Sequence, residues 1–348
     1  MLRLSDYGMS FEILDEAYTR LRSTGPEFDD WLSNHGPMAA EALARHGHED
    51  QISAWLDSYS QRLEPAPRSS VMIDDWRTAL GDARRLGDWL GWFDSELHDR
   101  PWTQVLHTWW PRLLPGIAAG ATHGVIRVGH AVRVLREEGE TAARVRELAQ
   151  GLGYWAARWQ PIPRATNLGG RLSAESAFTA VPTIPHQVGG IQSRLAQLEH
   201  VDGWPQAQQA LSPSPDWEDL LRDIVNVAVR RYTNHAHGNP VMLVHAATAP
   251  NAVLRTLPSL PTDMWASSAA AAWSASAAIH AAYATATSAP PPQTSPPATA
   301  ADTFDRAAQH GDEHVIKLAD TALDTYAWTG DFRALAAVKT AADLIDPL

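Results

Sequence analysis

The sequence contains no cysteine. That excludes disulfides and thiolate metal sites, and it leaves the redox compartment unmarked. It also lacks any run of Lys or Arg, and its formal net charge is −12 with a pI near 5.6. Nucleic-acid binding requires clustered cations on phosphates, and an anionic membrane surface attracts the same feature, so neither partner is expected. No stretch reads as a membrane span. The longest weakly apolar one, "MWASSAAAAWSASAAIHAAYATA", is mostly Ala and Ser and is too polar for the purpose. The opening "MLRLSDYGMSFEILDEAY" has no basic start followed by an apolar core, so no secretory leader is read there and a cytoplasmic location is expected. G-x-G-x-x-G, the P-loop, G-x-S-x-G and H-E-x-x-H are all missing, which removes the commonest nucleotide, hydrolase and zinc-protease signatures. "GLGYWA" lacks phosphate-binding spacing, and Asp74-Asp75 is most simply a helix cap.

What is present is an ordinary globular composition, 45% hydrophobic and 20% charged over 348 residues, long enough for a sizeable core. Two counts stand out, 15 Trp and 15 His. Indole rings suit flat aromatic pockets as well as cores, and neutral imidazole is the commonest metal ligand. Together they direct attention to a metal or aromatic-substrate site.

Helical periodicity dominates. "FEILDEAYTRLRS" carries an apolar stripe at Phe11, Leu14, Ala17, Tyr18 and Leu21. "GPMAAEALARHG" has Pro37 just inside a helix and Gly47 at its end. Further helices are expected in two pieces across 70–97, around 102–135 with breaks at Pro111 and Pro115, and before Pro161. Others are expected from Ser214 or Asp216 onward, around 262–284, and near 301–325 and 331–345. The stretch 161–215 is less regular, and "SAPPPQTSPPATAAD" reads as a Pro-rich loop at about 288–299. The expected fold is all-α, a single large helical domain with two lobes divided near residue 200.

The histidines fall in four segments. His35 precedes Gly36-Pro37 at a helix start, where the helix dipole keeps an imidazole neutral; a plain loop role fits equally. His46 and His48 sit beside acidic residues at a helix end and read as solvent-facing. In "GATHGVIRVGHAVRVL", His123, Arg127 and His130 share one face of a helix. Seven residues at about 1.5 Å rise put the two histidine backbones roughly 10 Å apart, so one is a candidate ligand and the other faces substrate or supports it. His245 follows an apolar run and is expected to be buried with a hydrogen-bonding partner; His235 and His237 lie in a loop-like segment. In "AAQHGDEHVIKLAD", His314 and Lys317 share a face at i, i+3, with His310 near the helix start. Read alone, Lys317 is an exposed helix lysine with its stem over the core.

Taken in order, "NHGPMAAEALARHG", "HGVIRVGHAVR", "VHAATAPNAVLR" and "DEHVIKLAD" resemble the questin oxidase-like family over about residues 8–340. That family is associated with ring cleavage of aromatic polyketides in anthraquinone pathways. The resemblance implies a mononuclear non-haem Fe(II) held by four histidines and a lysine carboxylated on its side-chain nitrogen. Carried over by motif, these are His35, His123, His245, His314 and Lys317, with His123 chosen over His130 by its place in "THG". A lysine ammonium cannot ligate a metal, whereas a carbamate can, so Lys317 must then be buried with a depressed pKa.

The expected activity is therefore an iron-dependent oxygenase that cleaves a carbon–carbon bond of a polycyclic aromatic substrate with O₂. Trp31, Trp109 and Trp110 would wall the pocket, and His130 or Arg127 would orient a phenolate or handle protons. An NADPH-dependent Baeyer–Villiger-type monooxygenase acting on the same substrate class is the second reading. A non-catalytic helical protein that binds an aromatic metabolite is the third, and it requires Lys317 to be an unmodified surface residue.

Overall fold

A computed structural model describes residues 4–285 and 299–348, with side chains from residue 11 onward. Among them the chain is all-α. Two two-residue strands, Glu27–Phe28 and Leu32–Ser33, pair antiparallel as a small hairpin. The expected Pro-rich loop lies outside the described residues except for Thr299, which caps the helix Ala300–His310. The chain divides into two compact units, one of residues 1–160 with 258–260 and 348, the other of 161–257 with 261–347. The division falls after Gln160, earlier than the position near residue 200 that the sequence suggested.

In the first unit, the helices Leu86–Asp99 and His123–Glu138 both pack on Ala142–Ala157, which Thr141 caps by accepting from the Arg144 backbone. Trp89, Trp109, Trp110 and Trp155 are fully buried in this unit, so much of the tryptophan excess is core. The helix Gly36–Arg45 packs along His123–Glu138, and each starts beside one of the candidate histidines. Pro111 does not break its helix, because Trp102–Leu113 runs through it. A proline in the last turn costs a single backbone bond near an end that terminates anyway.

In the second unit, the helix His245–Thr256 packs against Trp217–His235, Trp265–Tyr283 and Glu313–Thr329. Most of the Ala/Ser-rich helix from Ser268 to Tyr283 is buried, as expected of a segment without a polar face. Asp216 is the cap of Trp217–His235, accepting from the Asp219 backbone. The closing region differs from the expected single helix near 301–325. It contains two, Ala300–His310 and Glu313–Thr329, because Gly311 takes a left-handed conformation at φ 80° and Asp312 caps a new start. His310 therefore ends the earlier helix and lies within 3.1 Å of the Ile345 carbonyl; it does not stack one turn before His314. Among the described residues, no helix is long and apolar enough to cross a membrane.

Candidate functional site

The first unit holds one pair of histidines close together. His35 is 5% exposed at the N-terminus of Gly36–Arg45, and its backbone N–H donates to the Tyr59 hydroxyl at 2.6 Å. Asn34 braces the same turn: its Oδ1 accepts from Gly36, and its amide donates to the Gly25 carbonyl. His123 opens the helix His123–Glu138 and is also buried. Its Nδ1–H donates to the Gly120 carbonyl, which makes Nε2 the acceptor nitrogen of the neutral ring. A backbone acceptor on one ring nitrogen is how proteins fix a ligand imidazole's tautomer and orientation. That Nε2 lies 2.7 Å from Nε2 of His35, with the rings at right angles. Two nitrogens about 2.1 Å from one metal ion and at right angles to each other stand about 3 Å apart, so the pair has the spacing of adjacent ligands.

The loop that presents His123 is strained. Gly120, Ala121 and Thr122 all have positive φ, at 52°, 58° and 70°, a conformation that is uncommon for a β-branched residue. A Cβ on Gly120 would lie 2.1 Å from the Tyr154 hydroxyl, and that hydroxyl is 2.5 Å from Ser33 Oγ. Tyr154 thus ties the loop before His123 to the hairpin before His35. Gly120→Ala is expected to lower stability by about 2–4 kcal/mol and to loosen both histidines. A thermal melt matching the wild type would contradict that packing.

His130, the alternative ligand, stands elsewhere. Its Nδ1 lies 2.7 Å from Glu41 Oε2, and Arg133 Nε donates to Glu41 Oε1 at 2.8 Å. All three are buried. Arg127 is also committed: Nε and Nη2 grip Glu147 at 2.5 and 2.8 Å. Burial pushes the Glu147 carboxyl up, and Arg127 pulls against it. Glu41, Arg133, Glu147 and Tyr154 were not singled out from the sequence. Glu41 had a signal, as the one charged residue in the buried run Gly36–Ala44, and Arg133 extends the polar face of His123 and His130.

The second unit holds another pair and a lysine. His245 is wholly buried at the start of its helix, and its ring packs on His314 with centroids 5.9 Å apart. Asp312 accepts from the backbone N–H groups of His314 and Val315 at 2.8 and 3.1 Å. Burial would raise its carboxyl, but hydrogen bonding and attraction from His314 hold it below the usual value. Asp312, Glu313 and His314 together present three groups able to hold a metal ion. Lys317 is the correction to the surface reading: it is 0% exposed. Among the described residues, nothing accepts a hydrogen bond from its Nζ. Burial pulls its pKa down to about 7, against the attraction of Glu313 and Asp312. Farther along the same helix, Asp320 and Asp324 receive Arg255 at 2.6 and 2.7 Å, and Asn251 donates to Thr321 and Asp324. These bonds hold the His245 helix in register with the His314–Lys317 helix.

The family model described as Questin oxidase-like matches residues 32–151. That segment is questin oxidase-like. No curated protein and no solved structure matches the chain. The questin oxidase-like segment contains His35, His123, Arg127 and His130, and it ends before His245, His314 and Lys317. Its family is named for an oxidase, which implies oxidoreductase chemistry.

Within that segment, Trp109 is enclosed by Trp76, Trp89, Trp92 and Phe93, with the Arg112 guanidinium 4.8 Å over its ring. Trp110 meets Trp155 edge to face. Trp31, on the hairpin four residues before His35, is 54% exposed. Two surface grooves of the first unit, about 650 and 490 Å³, include none of the five candidate ligands among their lining residues.

Proposed function

We propose that the chain is an oxygenase that binds Fe(II) through His35, His123, His245, His314 and a carboxylated Lys317. It would use O₂ to cleave a carbon–carbon bond in a polycyclic, anthraquinone-like aromatic substrate. The observation that carries this reading is the state of Lys317. A lysine buried without a hydrogen-bonding partner is costly, and an ordinary helix gains nothing from it. Its depressed pKa leaves about half of the amine neutral near pH 7. The neutral nitrogen can attack CO₂, forming an N–C bond and releasing a proton, and the product is an anionic oxygen ligand one turn from His314.

Lysine usage supports the same reading. The chain has two lysines, Lys317 and Lys339, among 28 Lys and Arg side chains. Arginine has taken nearly every cationic position, and a guanidinium cannot lose its proton to react with CO₂. Lys339, by contrast, pairs with Asp343 at the surface.

The donor set fits ferrous iron. Imidazoles suit Fe(II), and one anionic oxygen donor offsets part of its charge. Bound iron would supply O₂ activation. The protein's own contributions are a fixed His123 tautomer, an Asp312-braced His314, and a burial of Lys317 that lowers its pKa. Trp31, 54% exposed, has surface to offer a flat substrate. The binding-protein reading with a surface Lys317 does not suit a fully buried side chain.

Metal analysis of protein purified without chelator tests the proposal, with about one iron per chain expected. His35→Ala and His314→Ala are each expected to lose it. Full metal content in His314→Ala, or iron-free wild type, would overturn the proposal.

A further inference from the structure

His235 and His280, which the proposed iron site does not use, meet in the second unit. His280 lies near the end of the helix Trp265–Tyr283 and is 7% exposed, and His235 closes the helix Trp217–His235. Their rings stand edge to face with centroids 5.2 Å apart. Arg231, one turn before His235 on the same helix face, places Nη2 3.2 Å from His280 Nε2. A guanidinium only donates, so Nε2 is the acceptor, and an imidazole that accepts is neutral, with its proton on Nδ1. His235 Nδ1 lies 3.1 Å from the Thr285 carbonyl. A carbonyl only accepts, so that nitrogen carries the His235 proton.

A proton on His280 Nε2 would set one donor against another and place two cations side by side in a buried cluster. Little nearby offsets them. Arg231 Nη1 reaches the Thr179 hydroxyl at 3.4 Å, while Glu175, with a half-exposed side chain, stays 3.6 Å from it. Arg231 Nε has no acceptor among the described residues. Phe178 closes another side, its ring 5.7 Å from that of His280. The acidic residues of Trp217–His235 are Glu218, Asp219 and Asp223, all in its first two turns and far from His235. Of the other elements packed on Trp265–Tyr283, His245–Thr256 carries His245 and Arg255, and Ile191–Ala196 carries Arg194, which lies over the Tyr283 ring. Asp263 is at the opposite end of the helix, and Trp204–Ala210 and Pro240–Leu243 have no charged residue. Burial, Arg231 and His235 together hold the His280 ring's pKa well below the ordinary 6.5, and burial lowers that of His235.

We propose that Arg231, His235 and His280 form an acid-sensitive latch, which holds the end of Trp265–Tyr283 on Trp217–His235 while His280 is neutral and opens when it takes a proton. Thr285 belongs to what it closes, because its backbone N–H donates to the His235 carbonyl at 3.3 Å. The latch also bears on the helix that starts with His245: Ser276, one turn before His280, donates to the Ala246 carbonyl. Above about pH 6.5 the ring is neutral whether the latch is open or closed, so its full strength is present. Below that, the open state binds a proton that the closed state excludes, and each further pH unit weakens the latch up to about tenfold for each imidazole involved. The latch is independent of the oxygenase reading and needs no metal.

Hydrogen–deuterium exchange of the full-length protein as purified, corrected for the intrinsic rate at each pH, tests it. The Ala284 and Thr285 amides are the reporters, since they donate to the His280 and His235 carbonyls. Their protection should hold steady from about pH 8 to 7 and fall about tenfold between about pH 6.5 and 5. The helix Leu86–Asp99 of the first unit should keep its protection throughout. His280→Gln gives Arg231 an amide oxygen that does not titrate, so it should keep the latch closed and lose most of this pH dependence. NMR of ring-labelled histidine in the wild type supplies a second reading, which does not depend on how the variant folds. One ring should titrate well below 6.5 and belong to His280. A His280 ring that titrates at about 6.5 or above in the folded protein, or an equal acid loss of protection in His280→Gln, would overturn the latch.

Discussion

Lys317→Met is expected to give a folded protein that neither retains iron nor turns over substrate, and whose metal-free form is more stable than the wild type at pH 7. The methionine fills similar volume without an amine to desolvate. In the wild type the amine has a pKa of about 7 when folded, against an ordinary value of 10.5. Between those two values the unfolded chain binds a proton that the folded chain has given up, so wild-type stability rises with pH across that window. It flattens below about 7, where both states are protonated and the full cost of burying the charge is felt. Measured against Lys317→Met in CO₂-free buffer, chelator-treated wild type should gain roughly 2–3 kcal/mol between pH 7 and 9. Urea unfolding at several pH values reads this directly, and a pH-independent difference would show that Lys317 is not a buried titrating amine. Lys317→Arg should be worse than either, since its charge cannot be shed and remains buried, at a cost of several kcal/mol. Carbon-13 bicarbonate should yield a carbamate resonance in wild type that is missing from Lys317→Met.

The all-α class was legible because the apolar stripes at Phe11, Leu14, Tyr18 and Leu21, and the Pro37 and Asp216 starts, are local signals that tertiary packing reinforces. The break at Gly311 is not a local signal of the same kind, because the left-handed φ that ends one helix there depends on Asp312 opening the next. Of the candidate site, the sequence does not say which of His123 and His130 faces His35, because that depends on how helix Gly36–Arg45 lies along His123–Glu138. That packing sets His35 against one histidine and Glu41 against the other. Burial of Lys317 was hidden for a different reason. "EHVIKLAD" offers as good a solvent-facing lysine as a buried one, and periodicity carries no information about which face a later helix covers. The scarcity of lysine was the available signal, since it makes position 317 an exception to the chain's own use of arginine.

Glu41 offers the second large effect. It lies on the helix that begins with His35, and its two oxygens face His130 and Arg133 of the helix that begins with His123. The three side chains are each at most 3% exposed, so removing the carboxylate takes an ion pair and a hydrogen bond out of a buried cluster. Glu41→Ala is therefore expected to cost about 3–5 kcal/mol, and Glu41→Gln about 1–3 kcal/mol, because an amide presents a donor where one acceptor is required. Pairing Glu41→Ala with Arg133→Leu removes the cation that Glu41 holds and should recover most of the stability. Metal retention separates a register effect from stability alone. The clamp fixes how far one helix slides along the other, and hence how Nε2 of His35 meets Nε2 of His123 at 2.7 Å. The double variant should regain its melting temperature while still binding iron about tenfold more weakly than wild type. Full recovery of both would reduce Glu41 to a partner for Arg133, with no part in setting the histidine pair.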